Sequence, residues 1–267
     1  MEKFIALIKG AGEMASGIAH RLFNSGFAVV MTEIEFPSVI RRGVSFAQAV
    51  FTKEMTVEGV TARLTDSESV YDVLQKSEIA VLVDPLARIR ESLKPQILID
   101  AILAKKNLFT QIQDAPLVIG VGPGFDAGKD VHFCIETMRG HNLGRIIQKG
   151  YAFADTKIPG DINGYTSERV IRAESDGFFN TQKKIGDIVE KSSIIGYTGI
   201  APAYAGISGV LRGLIQPGYF CSKDLKIGDI DPRGVQEYCW QISDKARTIS
   251  GSVLESILRF YPLQKTR

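Results

Sequence analysis

The sequence predicts an α/β chain, with a doubly wound parallel sheet over residues 1–150 and a β-rich repeat domain ending in a long helix over residues 151–267. Three observations carry that prediction. Short, nearly unbroken Val/Ile/Leu runs alternate with helical stretches in the first half, the pattern of strands buried on both faces. After residue 150 the strands shorten, glycines punctuate them, and a segment repeats itself. Near the end, apolar residues recur in steps of three and four.

The elements follow in order. Residues 4–8 read as a buried strand, 13–25 as a helix and "FAVVMTEIE" (27–35) as a second strand, a βαβ unit of ordinary length. "SESVYDVLQKS" (67–77) is helical, while "IAVLVDP" (79–85), "ILIDAIL" (97–103) and "APLVIGVGPGF" (115–125) are strands. Between the first strand and helix, Gly10, Gly12 and Ala15 fit G-x-G-x-x-A. In that pattern the first glycine permits a tight turn, the second admits a pyrophosphate, and the small third residue lets helix and strand approach. Glu33 or Glu35 then ends the second strand, where an acid would bond ribose hydroxyls. The unit is therefore expected to be Rossmann-like and to bind a nucleotide-like ligand; the bland alternative is a tight turn with an empty pocket.

Paired Arg41 and Arg42 fit a phosphate, and equally fit a solvated turn. The second glycine loop, with Gly122 and Gly124, fails as a Walker A motif, because Pro123 stands at its first glycine and Lys129 precedes Asp130 instead of a hydroxyl. It remains a candidate binding loop at a strand end. The densest chemistry follows in "KDVHFCIETMRGHNLGR", where His132, Glu136 and His141 are candidate catalytic groups and Arg139 a candidate anion ligand. On a helix His132 and Glu136 would share a face, yet one His and one Glu make an incomplete metal site, so no metal is expected. A polar network at the domain junction is the structural alternative. Cys134, amid apolar neighbours, reads as a small buried hydrophobe.

In the second half, "SDGFFNTQKKIGDIVEKSSIIG" (175–196) aligns with "ISGVLRGLIQPGYFCSKDLKIGDI" (207–230). Two such units over about 170–231 resemble the barrel-sandwich hybrid of biotinyl and lipoyl carriers. The connection "YTGIAPAYAG" (197–206) has no lysine, so no covalent biotin or lipoate is expected. Val235, Cys239, Ile242, Ala246, Ile249, Val253, Ile257 and Phe260 then place a long amphipathic helix against a domain or a dimer partner, with Gly251 its weak point.

Composition bounds the partners. The chain has 267 residues, 45% hydrophobic and 23% charged, at net charge +2, which gives no support for a nucleic-acid or anionic-membrane partner. The apolar start is cut by Lys9 and too short for a signal or a span. Three scattered cysteines suggest neither a disulfide framework nor a zinc site, so a cytoplasmic location is expected.

The stretches "GAGEMASG", "EFPSVIRRGVSFAQAV", "VIGVGPGFDAGKDVHFCIETMRGHNLGR", "ESDGFF" and "LKIGDIDPR" together resemble the selenium-dependent molybdenum hydroxylase accessory family, often called YqeB-type. Lys157 departs from it, standing where a glycine is expected before Ile-Pro-Gly. The resemblance implies a cytoplasmic maturation factor, similar in role to XdhC-type chaperones, that acts on a client molybdenum hydroxylase. Its pocket would hold molybdopterin dinucleotide or a similar pyrophosphate cofactor. The alternatives are an NAD(P)-dependent oxidoreductase, with His132 or His141 as proton donor, and a non-catalytic scaffold; a homo-oligomer fits any of them.

Overall fold

A computed structural model describes residues 4–262. In the first half it contains β1 (Ile5–Lys9), α1 (Glu13–Asn24), β2 (Ala28–Glu33), α2 (Ala49–Thr52), β3 (Glu54–Val57), β4 (Val60–Leu64), α3 (Val70–Gln75), β5 (Ile79–Val83), α4 (Arg90–Leu93), β6 (Ile97–Asp100), β7 (Leu117–Val121), β8 (Phe133–Ile135) and β9 (Ile146–Ile147). These nine strands form one sheet in the order β3-β4-β5-β2-β1-β6-β7-β8-β9. Neighbours from β4 to β8 run parallel, and the two edge pairs, β3–β4 and β8–β9, are antiparallel.

Both faces of the sheet are buried, which is why its strands read as unbroken apolar runs. Ile8, Val29, Met31, Ile99 and Ile119 face α1; Leu7, Val30, Leu82, Leu98 and Val118 face the other layer. The α1 face is closed by a helix from the far end of the chain, α5 (Asp244–Phe260), whose Ala246, Ile249, Val253 and Ile257 are buried with Ile18 and Leu22. Each large aliphatic side chain so buried contributes about 1.5–3 kcal/mol. The crossing is close enough that a Cβ on Gly17 would stand 2.9 Å from that of Ala246.

The expected Rossmann-like, doubly wound fold needs correction. The sheet is mixed, and among the described residues only β1 and β2 are joined by a full-length helix. The chain passes from β6 to β7 and from β7 to β8 through loops, and the layer opposite α1 holds only the short α3 and α4. A helix supplied from the C-terminus, not successive crossovers, completes the first layer.

The second half contains β10 (Val170–Arg172), β11 (Gly177–Asn180), β12 (Ile188–Val189), β13 (Ile194–Thr198), β14 (Ala201–Tyr204), β15 (Gly209–Leu214), β16 (Phe220–Cys221) and β17 (Lys226–Asp231). Two four-stranded sheets, β10-β17-β15-β12 and β14-β13-β11-β16, enclose Phe179, Ile195, Leu211, Leu214 and Ile227. The two copies of the repeat pair reciprocally. Each copy's first strand bonds its own third strand (β11–β13, β15–β17) and the other copy's second (β11–β16, β15–β12). The strands of this module are also bonded to the loop after β2. Leu214 N–H donates to Ile40 O at 2.9 Å, and Arg42 Nε donates to Leu214 O at 2.7 Å.

Candidate functional site

The glycine turn after β1 has the expected backbone. Gly10 sits at φ 91° with its N–H donating to Thr32 O, and only glycine enters that region without strain. Gly12 caps α1 from an extended conformation, and Ala15 is buried in the helix. The polar groups of Ala11, at the centre of the turn, are however occupied by the protein itself. Glu33 bends back so that its carboxylate accepts the Ala11 N–H at 2.9 Å and the Ile34 N–H at 2.8 Å. Ala11 O accepts from Ala47 N–H and from the Ser16 hydroxyl. Burial pushes the Glu33 carboxyl above its ordinary value, and the two N–H groups partly restore it. The acid read as a ribose ligand thus serves as the plug of its own turn.

Behind the turn Lys9 and Asp100 form an ion pair at 3.1 Å with both side chains almost wholly buried, and Thr110 bonds each of them. Arg41 and Arg42 lie between the chain's two halves, and Arg41 Nε and Nη1 have no hydrogen-bond partner among the described residues. Arg41 Nη2 donates to the carbonyls of Tyr238 and Gln241, and Arg42 Nη1 donates to Gln216. Burial lowers both guanidinium pKa values. Gly122 and Gly124 make room for their own chain: a Cβ on Gly122 would meet Thr137 Oγ1 at 3.1 Å, and one on Gly124 the backbone of Lys106.

The segment 132–145 is a strand and a closed loop, not a helix. His132 precedes β8 and Glu136 follows it, so the strand holds them roughly 13 Å apart at about 3.3 Å per residue. His132 Nδ1 accepts the Val118 N–H at 3.0 Å, its ring meets Phe260 edge-on, and burial lowers its pKa. Glu136 lies at the other strand end, buried, its carboxylate accepting three backbone N–H groups from Thr137, Met138 and Phe153, each at 2.7 Å. That makes it the staple of the loop. His141 is exposed on the same loop. Cys134 is buried, donates to Gly122 O, and has its thiol pushed up to about 11 by burial, which removes the thiolate needed for sulfur or selenium chemistry.

Beside this loop, at the C-terminal ends of β6 to β8, lies a cleft of about 650 Å³. Its walls include Leu103, Thr137, Met138, Arg139, Phe153 and Lys245. The loop is rigid by construction, since Glu136 N–H donates to Arg145 O and Gly144 N–H donates back to Glu136 O. Arg139 is clamped by Asp244, with Nη1–Oδ2 at 2.8 Å and Nη2–Oδ1 at 3.1 Å. The clamp raises the Arg139 pKa and holds the Asp244 carboxyl at about 2. Gly160 lies flat on the arginine stem; a Cβ there would stand 2.6 Å from Cδ.

Sequence reasoning found Arg139 and missed its neighbour. Lys245 is half-buried in the cleft wall, and its amine meets burial and the fields of Arg139, Glu13, Glu136 and Asp244, with no hydrogen-bonding partner among the described residues. Burial, reinforced by Arg139, lowers its pKa below the ordinary lysine value. One signal was available. Lys245 sits in the first turn of α5, where the helix dipole disfavours a cation. Nearby Lys157, at the position expected to be glycine, takes φ 61°, the left-handed conformation glycine would enter freely.

No protein-family profile matches the chain. It is 48% identical over 255 residues, 95% of its length, to the uncharacterized protein YqeB of Escherichia coli K12, and spans 47% of that protein. The relationship to YqeB is thus shown over about half the relative's length, without a role attached. Solved structures retrieved by shape include a succinylglutamate desuccinylase from Silicibacter sp. TM1040 (12% identity, 85% of this chain and 84% of that one, TM-score 0.24). Another is an aspartoacylase family protein from Mesorhizobium loti (11% identity, 86% and 85%, TM-score 0.28). Superpositions at that level lend this chain neither a fold nor a chemistry. Among the described residues no three His, Cys, Asp or Glu side chains converge as metal ligands, and no helix is long and apolar enough to cross a membrane.

Two functional expectations are corrected. Maturation of a selenium-dependent molybdenum hydroxylase, with molybdopterin dinucleotide as cofactor, loses its basis, and so does the NAD(P)-dependent oxidoreductase. The Glu33 carboxylate that both readings assign to a ligand is bonded to the Ala11 N–H of its own turn, and the relative YqeB carries no role to restore either reading.

Proposed function

We propose that this relative of YqeB binds a small anionic metabolite in the cleft beside residues 137–139, with Arg139 and Lys245 supplying the counter-charge. The observation that carries the reading is the half-buried Lys245 amine, without a hydrogen-bonding partner, on the same wall as a guanidinium fixed by Asp244. Two neighbouring cations repel each other, and an anion between them removes that cost. Preordered loops at strand ends are where open α/β sheets hold ligands, and the cleft has the volume of a metabolite site. Three buried free thiols support work in a reducing cytoplasm.

Titration calorimetry with phosphate, succinate and pyruvate tests the reading. At least one should bind, and Lys245→Met should weaken it about tenfold, or 1.4 kcal/mol. Only the protonated amine attracts an anion, so binding should be strong at neutral pH. It should fade as pH rises through a lysine pKa lying below the ordinary 10.5. Absence of binding for all three probes, or binding indifferent to Lys245→Met, would overturn it.

A further inference from the structure

We propose that Lys245 is also a nucleophile, which forms an imine with the carbonyl carbon of a small oxo acid whose carboxylate rests on Arg139. The inference rests on the anion-binding reading and goes beyond it by naming the substrate class. A lysine that only binds charge is best left hydrated or hydrogen-bonded. This one is half-buried in a cleft whose lining also includes Met138, Phe153 and Leu103, with no acceptor holding its proton among the described residues. Desolvation and a neighbouring cation both ease loss of a lysine's proton, so a larger share of the amine is neutral and nucleophilic at a given pH than for a solvated lysine. Arg139 supplies the cation and is held on the cleft wall by its paired hydrogen bonds to Asp244. The same guanidinium offers a docking point for a carboxylate, so a 2-oxo acid held there presents its carbonyl to the amine on the same wall.

The step balances with water as the only by-product. The neutral amine's lone pair attacks the carbonyl carbon, a C–N bond forms, and the carbonyl π pair moves to oxygen, which takes a proton. The nitrogen then loses a proton to solvent, its lone pair expels the hydroxyl as water with one further proton, and an iminium remains. The cleft opens to solvent, so water carries each proton. The charged groups around the amine are Arg139, Glu13, Glu136 and Asp244, with the Lys105–Asp155 pair on the same cleft.

The test is reductive trapping of the full chain. Protein is incubated with pyruvate or glyoxylate and sodium cyanoborohydride, and peptide mass mapping locates the reduced adduct. Lys245 should be labelled about tenfold over the average lysine. Labelling should rise with pH up to the depressed lysine pKa, and Lys245→Arg should abolish the site while retaining the fold by circular dichroism. Labelling spread evenly over surface lysines, or none, overturns the inference. Phosphate binding, measured in parallel, separates the two readings. Phosphate that binds through Lys245 without trapping sinks the imine and leaves the anion site standing. Trapping at Lys245 without phosphate binding supports the nucleophile and narrows the anion site to carboxylates.

Discussion

The glycine turn at residues 10–15 and the cleft beside residues 137–139 both sit at C-terminal ends of parallel strands, yet they spend their polar groups in opposite ways. At the turn, Glu33 takes the Ala11 N–H, and Ser16 and Ala47 take its carbonyl. Lys9 and Asp100 neutralise each other just behind. At the cleft, Arg139 is fixed by a partner that keeps it in place, and Lys245 is left without one. The turn has the sequence signature of a binding site and the cleft has almost none. A glycine pattern specifies a backbone path; whether that path holds a ligand is decided by side chains arriving from elsewhere in the chain.

The largest break in this contrast comes from Asp100→Ala. It strands the Lys9 ammonium beneath the turn, and an uncompensated buried charge costs about 3–5 kcal/mol. Denaturant unfolding should show that loss, and Lys9→Met combined with Asp100→Leu should recover most of it. A loss below about 1 kcal/mol would mean that water reaches the pair, and the turn would no longer count as closed.

Glu33→Ala comes next. The Ala11 N–H loses its acceptor, at a cost of about 1–3 kcal/mol. Glu33→Gln sharpens the test through pH. Because burial raises the folded carboxyl pKa, Glu33 contributes most below its unfolded value near 4.5 and loses that contribution as pH rises through the folded value. The wild type should therefore fall behind Glu33→Gln progressively between acid and neutral pH. A pH-independent difference would mean that the carboxylate is solvated and free to serve a ligand.

What could be read ahead follows from the range of the forces involved. The strand, helix and strand expected at 4–8, 13–25 and 27–35 lie at Ile5–Lys9, Glu13–Asn24 and Ala28–Glu33, because apolar period and a glycine turn are local signals. The C-terminal periodicity began at Val235, but the helix starts only after Ser243, whose hydroxyl accepts the Ala246 N–H. Residues 132–136 misled for a related reason: the i, i+4 spacing of His132 and Glu136 suits a helix face, while Phe133–Ile135, buried throughout, pairs with β7. The cleft was the least legible part. Asp244 joins Arg139 across 105 positions, and no local pattern announces such a meeting.

The smallest effect is the sharpest on the turn itself. Gly12 is the residue that a pyrophosphate-binding turn reserves for ligand approach, so any side chain there should be harmful if a ligand docks. Here Gly12 has φ −68° and ψ −177°, which a serine adopts without strain, and its missing Cβ would meet only Val39 Cγ2, at 3.8 Å. It is also the N-cap of α1 and offers no side-chain oxygen to the first-turn N–H groups. Serine is a better cap than glycine by a few tenths of a kcal/mol. Gly12→Ser should therefore unfold at the same or slightly higher denaturant concentration than wild type and bind the cleft's anion unchanged. A variant that folds normally but loses that binding would return the ligand to the turn, and the contrast between the two strand ends would fail.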